Sequence, residues 1–188
     1  MNNPKIFDPY AGNLLTGGLG PIWSPQDVAK RLTFRPPPPA GVVSIPKHVR
    51  IYLLMQLRDL HFACLEDIRL QRSIDLMCRE GYRYRDPQNP QTWSLLSGEK
   101  LVHNTVRAPA MAAVAVGHSG TGKTEGSLRS MALYPNQVIR HTSFPNVAGD
   151  FHQVVWLSVD VPSSGNSKDL AANLMMAWED IMAKHAPS

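Results

Sequence analysis

GHSGTGKTE, residues 117–125, narrows what this chain can fold into more than any other stretch. Gly117, four residues, then Gly122-Lys123-Thr124 make the G-x-x-x-x-G-K-[ST] pattern of a phosphate-binding loop. The pattern has meaning only between a buried strand and a helix. Before it, Met111-Ala-Ala-Val-Ala-Val116 is an unbroken apolar run, the length of a strand buried on both faces of a parallel sheet. After it, Lys123 to Leu133 is free of proline and spaces Leu128, Met131 and Ala132 as a helix would, until Pro135 stops it.

The chemistry follows from the residue types. Glycines let successive backbone N–H groups converge into an anion nest, and the helix that begins there adds the positive end of its dipole. The candidate phosphate-binding residues are Gly117, His118, Ser119, Gly120, Thr121, Gly122, Lys123 and Thr124. Lys123 reaches the β- and γ-phosphates as a point charge, and the hydroxyl of Thr124 is the candidate Mg²⁺ ligand. His118 falls at a variable loop position, and Glu125 reads as a first-turn dipole partner rather than a catalytic base.

Composition sets wider limits. At 188 residues, with 43% hydrophobic content, the chain has room for one cored domain plus an extension. Net charge +4 allows a polyanionic partner without requiring one. The two cysteines, Cys64 and Cys78, have no metal-ligand spacing and read as buried free thiols in a reducing compartment. No apolar signal core and no membrane-length apolar stretch are present, so a cytoplasmic protein is expected, with no membrane partner.

Along the chain, 1–46 reads as a flexible N-terminal segment, broken by a short helix from Ser24-Pro25 to about Leu32. Arg35-Pro-Pro-Pro-Pro-Ala40 is a stiff spacer or, less simply, a docking site for a proline-reading domain. From Lys47 to Glu80 the pattern is helical, with Val49, Leu53, Leu57, Leu60 and Cys64, then Leu70, Ile74 and Met77, at core spacing. One bent helix or two would fit, capped at Gly81. Arg50, Arg58, Arg69, Arg72 and Arg79 read as a solvated face rather than a DNA patch. Gly81-Tyr-Arg-Tyr-Arg-Asp-Pro87 interleaves aromatics with arginines, which suits base stacking or an ordinary half-buried turn. Gln137–Thr142 and Gln153–Asp160 are strand candidates. Asn166-Ser167 caps a helix with Leu170, Leu174, Trp178 and Ile181 on one stripe and Met175, Met176 and Met182 as core filler.

The wording of several segments resembles a known family, the AAA+ ATPase regulators of DNA transposition of the TniB/TnsC type. GYRYRDP at 81–87 looks like that family's Gly-Tyr-x-x-Arg-Asn-Pro, with Asp86 in place of Asn. GHSGTGKTE resembles its phosphate loop, and YPNQVIRHTSF at 134–144 its Tyr-Pro-x-Gln-Val-Ile-x-His stretch. QVVWLSVDVP at 153–162 is similar to its Gln-Val-x-Trp-Leu-x-x-Asp-Cys-Pro, with Val161 in place of Cys, and GNSKDL at 165–170 to its Gly-Ser-x-Lys-x-Leu.

The resemblance implies an α/β fold with a P-loop NTPase core of AAA+ type, here with an incomplete parallel sheet, preceded by a mainly helical extension. On that division, 47–108 is the helical extension and 109–188 the N-terminal part of the ATPase domain. It implies ATP and Mg²⁺ as cofactors, and non-specific double-stranded DNA, a transposase and a target-selection protein as partners. It also implies self-association into a ring or filament. Lys168, with the loop from Ser163, is the candidate DNA contact, made to phosphates. The family's acidic Walker B strand end, sensor and arginine finger have no counterpart before Ser188, and Asp160 falls on the neighbouring strand. The chain therefore reads as a hydrolysis-deficient fragment with no catalytic residue assigned, and a partial sheet with an uncovered apolar face is expected to be marginally stable. The alternatives are a non-hydrolysing nucleotide-binding module, a nucleoside-kinase-type phosphotransferase with only Arg129 and Arg140 to form its lid, and a partner-binding protein working through 47–80.

Overall fold

Helices begin where the sequence supplies caps. In the computed structural model, which describes residues 7–90, 92–93, 111–146 and 148–185, α1 (Leu14–Gly17) starts at Asn13, whose side chain accepts from Leu15 N. Helix α2 (Pro25–Leu32) starts at Ser24, whose hydroxyl oxygen accepts from Asp27 N at 3.2 Å while its proton goes to Asp27 Oδ2 at 2.6 Å. Eight residues make a marginal helix alone. Val28 and Leu32 are each 2% exposed, and burying such side chains contributes about 1.5–3 kcal/mol apiece.

The helical pattern from 47 to 80 resolves into pieces: α3 (Lys47–Leu53), a 3-10 turn (Leu54–Asp59) and α4 (Leu65–Arg83). Asp67 Oδ2 accepts from Cys64 N at 2.9 Å, so Cys64 is the cap residue of α4 and is exposed, not buried. Gly81 does not end α4, which continues to Arg83. The stripe expected at Val49, Leu53, Leu57 and Leu60 is not a core stripe, because only Leu53 is even half-buried. The 3-10 turn advances at about 3.0 residues per turn rather than about 3.6, which carries the apolar positions off a common face. The part of the expected helical extension at 94–108 lies outside the described residues.

The chain divides into two units. Unit 1 comprises 1–21, 75–112 and 134–188, and unit 2 comprises 22–74 and 113–133. Helix α4 gives its first half to unit 2 and its second half to unit 1.

In unit 1, β1 (Val138–His141) and β2 (Phe151–Val154) pair antiparallel, with Val138 opposite Val154 and His141 opposite Phe151. The loop between them turns with Asn146 and Gly149 at positive φ. Leu15, Leu19, Tyr134, Val138 and Phe144 are buried, and Phe144 stacks on Phe151 at 4.0 Å and meets the edge of Trp93. Helix α6 (Ser167–His185) starts at Asn166, whose Oδ1 accepts from Lys168 N, but it buries none of its residues. Leu170, Leu174 and Trp178 are 40–47% exposed, and Met175 and Met176 are 58% and 62% exposed rather than core filler.

Unit 2 holds α2, α3, the first half of α4 and α5 (Lys123–Met131). Phe34 and His61 exchange backbone bonds of 2.8 and 2.9 Å in an isolated antiparallel bridge. Helix α5 rests on α4 through Gly126, which is buried. A Cβ added there would stand 2.8 Å from Asp67 Oδ1, so a side chain at this position must displace the Asp67 carboxylate.

The chain is thus a mixed α/β protein, but its sheet is not the expected parallel one. Among the described residues the one sheet is the β1–β2 hairpin. Met111–Val116 is irregular and exposed, with Val114 at 85% and Val116 at 90%, and the Gln153–Asp160 candidate pairs only as far as Val154, apart from a single bond from Val155 N to Gln137 O. A hairpin closes locally, whereas a parallel pair needs a long crossover and a partner for every backbone group. No helix among the described residues is long and apolar enough to cross a membrane.

Candidate phosphate-binding loop

Residues 117–124 form a tight loop and the start of α5 within unit 2. Gly120 has φ 79° and Gly122 φ 82°, left-handed values that a side chain would penalise. Gly122 is the cap position of α5, so Lys123 and Thr124 are its first two residues. The first N–H groups of any helix lack intrahelical acceptors, and here they open onto an exposed loop.

The lysine folds back over the loop that precedes it. Lys123 Nζ donates to Gly117 O at 2.8 Å and to His118 O at 2.6 Å. Thr121 Oγ1 donates to the same His118 carbonyl at 2.9 Å. A Cβ on Gly117 would lie 3.1 Å from Thr121 Oγ1, so that position is tight as well. The outcome is a loop whose Gly117 and His118 carbonyls are gathered by one ammonium group. Ser119 and Thr124 are exposed, and the Thr124 hydroxyl has no hydrogen-bond partner among the described residues.

The helix behind the loop bonds back onto its own backbone. Ser130, 0% exposed, donates its hydroxyl to Gly126 O at 2.7 Å, and Ser127 donates to Lys123 O at 2.9 Å. Glu125 pairs with Arg129 at 2.6 Å, and Arg129 reaches Asp59 O at 3.4 Å. With Glu125 54% exposed, that ion pair contributes only about 0.3–0.5 kcal/mol.

The other sequence candidates lie elsewhere. Lys168 is exposed in the first turn of α6, in unit 1. Asp160 is exposed and outside any strand, and its carbonyl accepts from Asn173. The 81–87 cluster is built into unit 1: Tyr82 O accepts from Asn13 Nδ2 at 3.0 Å, and the buried Pro87 gives its carbonyl to Trp93 Nε1 at 2.8 Å.

Sequence reasoning missed a buried polar cluster in unit 1. Arg79 was expected on a solvated face, yet it is 2% exposed, donating to Asp75 Oδ2 at 2.8 Å and to Gly20 O at 2.9 Å. Tyr134 donates to Asp75 Oδ1 at 3.2 Å, and burial holds its phenol above the ordinary range. Burial also pushes the nearby Cys78 thiol up to about 11, with Asp75 adding to the shift. The i,i+4 spacing of Asp75 and Arg79 was the available signal. Gln153 is likewise buried and bonded at both ends of its amide, donating to Leu15 O at 2.9 Å and meeting His141 Nε2 at 2.9 Å.

No protein-family model matches the chain and no curated protein matches it, so its functional reading rests on its own residues and geometry.

Proposed function

We propose that the chain binds ATP with Mg²⁺ through Gly117–Thr124, as part of a P-loop NTPase core of AAA+ type, and acts as a regulator of DNA transposition. The observation that carries the nucleotide part is the loop itself. Two left-handed glycines lead into a helix whose first residue is Lys123 and whose second is Thr124, with the Lys123 ammonium held over the loop carbonyls. The donor set fits a polyphosphate: a glycine-turned loop, a helix N-terminus, a primary ammonium and a hydroxyl. Lys123 trades the Gly117 and His118 carbonyls for phosphate oxygens, and the Thr124 hydroxyl is the ligand the chain offers to Mg²⁺. The metal, when bound, neutralises charge between phosphate oxygens. No residue is assigned to hydrolysis.

The transposition part is supported by the wording of 81–87, 134–144 and 153–162, whose Tyr82, Tyr134 and Gln153 are all engaged within unit 1. Double-stranded DNA is the proposed substrate surface, met through phosphates with Lys168 as one contact, and a transposase and a target-selection protein are the proposed partners.

Equilibrium titration with ATP and Mg²⁺ tests the core of this reading. Saturable binding is expected, weakened roughly tenfold to hundredfold in Lys123→Ala, as loss of a charge-assisted contact implies. Wild-type protein that takes up no ATP, or a variant that binds as well, ends it.

A further inference from the structure

We propose that the proline run of unit 2, residues 35–40, is a docking segment for a partner protein that carries an aromatic-lined groove with an acidic rim. Each proline fixes φ at about −65° and keeps the residue before it extended, so Pro36, Pro37, Pro38 and Pro39 build a polyproline II helix of about three residues per turn. Burial follows that period. Thr33, Pro36 and Pro39 are half-buried, and the two residues between each of them are exposed. One edge of the helix therefore faces the protein. The other two edges, Arg35 with Pro38 and Pro37 with Ala40, face solvent.

A spacer is the other use of such a run, and a spacer needs a body at each end. Here both flanks belong to unit 2, which takes in 22–74 without a break. The run is also pinned at both ends. Phe34 pairs with His61, and Thr33 Oγ1 accepts from Ala63 N at 3.2 Å. After Ala40, Gly41 turns at φ 66°, and its carbonyl accepts from Ser44 N at 2.9 Å and from Ser44 Oγ at 2.7 Å. The prolines are thus held as a fixed extended ridge, not as a tether.

What the ridge offers sets its partner. Proline has no N–H, and among the described residues no hydrogen bond is made to the carbonyls of 36–39. The segment presents pyrrolidine rings and open acceptors. Tyr and Trp side chains match both, ring against ring and O–H or N–H to carbonyl. Arg35 stands at one end, exposed, with its guanidinium 5.0 Å from the Phe62 ring and in no ion pair among the described residues. An acidic side chain beside the groove pairs with it and sets the direction in which the segment lies. Because the ridge is already extended and held, docking costs little ordering entropy. Binding here is independent of whether the loop at 117–124 takes ATP.

Isothermal titration of the full chain with three purified proline-reading domains, an SH3, a WW and an EVH1 domain, provides the test. Saturable binding at one site per chain is expected with at least one of them. Pro37→Ala together with Pro38→Ala removes the outward rings, and weakening of roughly tenfold or more is expected. Arg35→Ala is expected to weaken binding several-fold at low salt and less at high salt. All three side chains are exposed, and circular dichroism checks that each variant keeps the wild-type fold. As a readout that needs no folding, a synthetic peptide of residues 33–41 is expected to displace the chain from the domain, and the same peptide with both proline substitutions is not. No binding by any of the three domains, a double variant that binds as tightly as wild type, or displacement by the substituted peptide overturns the proposal. An Arg35→Ala variant that binds as tightly as wild type at low salt overturns its acidic rim.

Discussion

The polar groups of unit 1 and those of the loop at 117–124 are satisfied in opposite ways. In unit 1, Tyr134, Asp75, Arg79 and the Gly20 carbonyl form a chain of bonds away from water. In the loop, among the described residues, Lys123 and Thr121 bond to carbonyls of the loop itself, at an exposed surface. A buried network has no valence to offer a ligand and strongly resists the loss of a member. A self-bonded exposed loop loses little when its lysine is exchanged for another partner's charge. Stability therefore belongs to the first region, and the proposed phosphate binding to the second.

Substitutions separate the two. The largest effect is expected in Asp75→Ala, which leaves the Arg79 guanidinium buried with one carbonyl for company. A loss of about 3–5 kcal/mol in urea unfolding is expected. A loss below about 1 kcal/mol would place the network among ordinary surface contacts. Smaller, and in unit 2, is Gly126→Ala, whose methyl group meets Asp67 Oδ1 at 2.8 Å. Overpacking costs about 1–3 kcal/mol and offsets the helix-propensity gain of about 1 kcal/mol. A more stable variant would mean that the Asp67 carboxylate swings aside and the methyl group packs without strain.

The smallest effect sharpens the contrast through the two thiols. Burial raises Cys78 from 9.0 to about 11, so folding favours its neutral form. Its contribution is complete below pH 9.0 and is lost as pH climbs through about 11. Exposed Cys64 is expected to be alkylated near neutral pH and Cys78 only in strong alkali or on unfolding. Equal alkylation rates at neutral pH would contradict the burial of the cluster.

Local chemistry made part of this legible. Ser24 and Asn166 mark their helices because a cap is a contact between near neighbours. Gly120, Gly122 and Lys123 announce the loop for the same reason. Arg79 was misread because its burial depends on Gly20, far away in sequence, and only the Asp75 spacing hinted at it. Val49 to Leu60 were misread because periodicity reports an amphipathic face but not whether anything described covers it. The run at 111–116 has the composition of a buried strand, but a strand is held by neighbours that composition does not name.

The most direct test of the central claim is competition at the loop. ATP bound to the wild-type chain is challenged with inorganic triphosphate and, separately, with adenosine, while thermal melts of wild type and Lys123→Ala are recorded. Triphosphate is expected to displace ATP, and adenosine is not. Lys123→Ala is expected to lose binding while its melt stays close to wild type. Displacement by adenosine alone, or binding retained in Lys123→Ala, would contradict the assignment of the loop as the phosphate site.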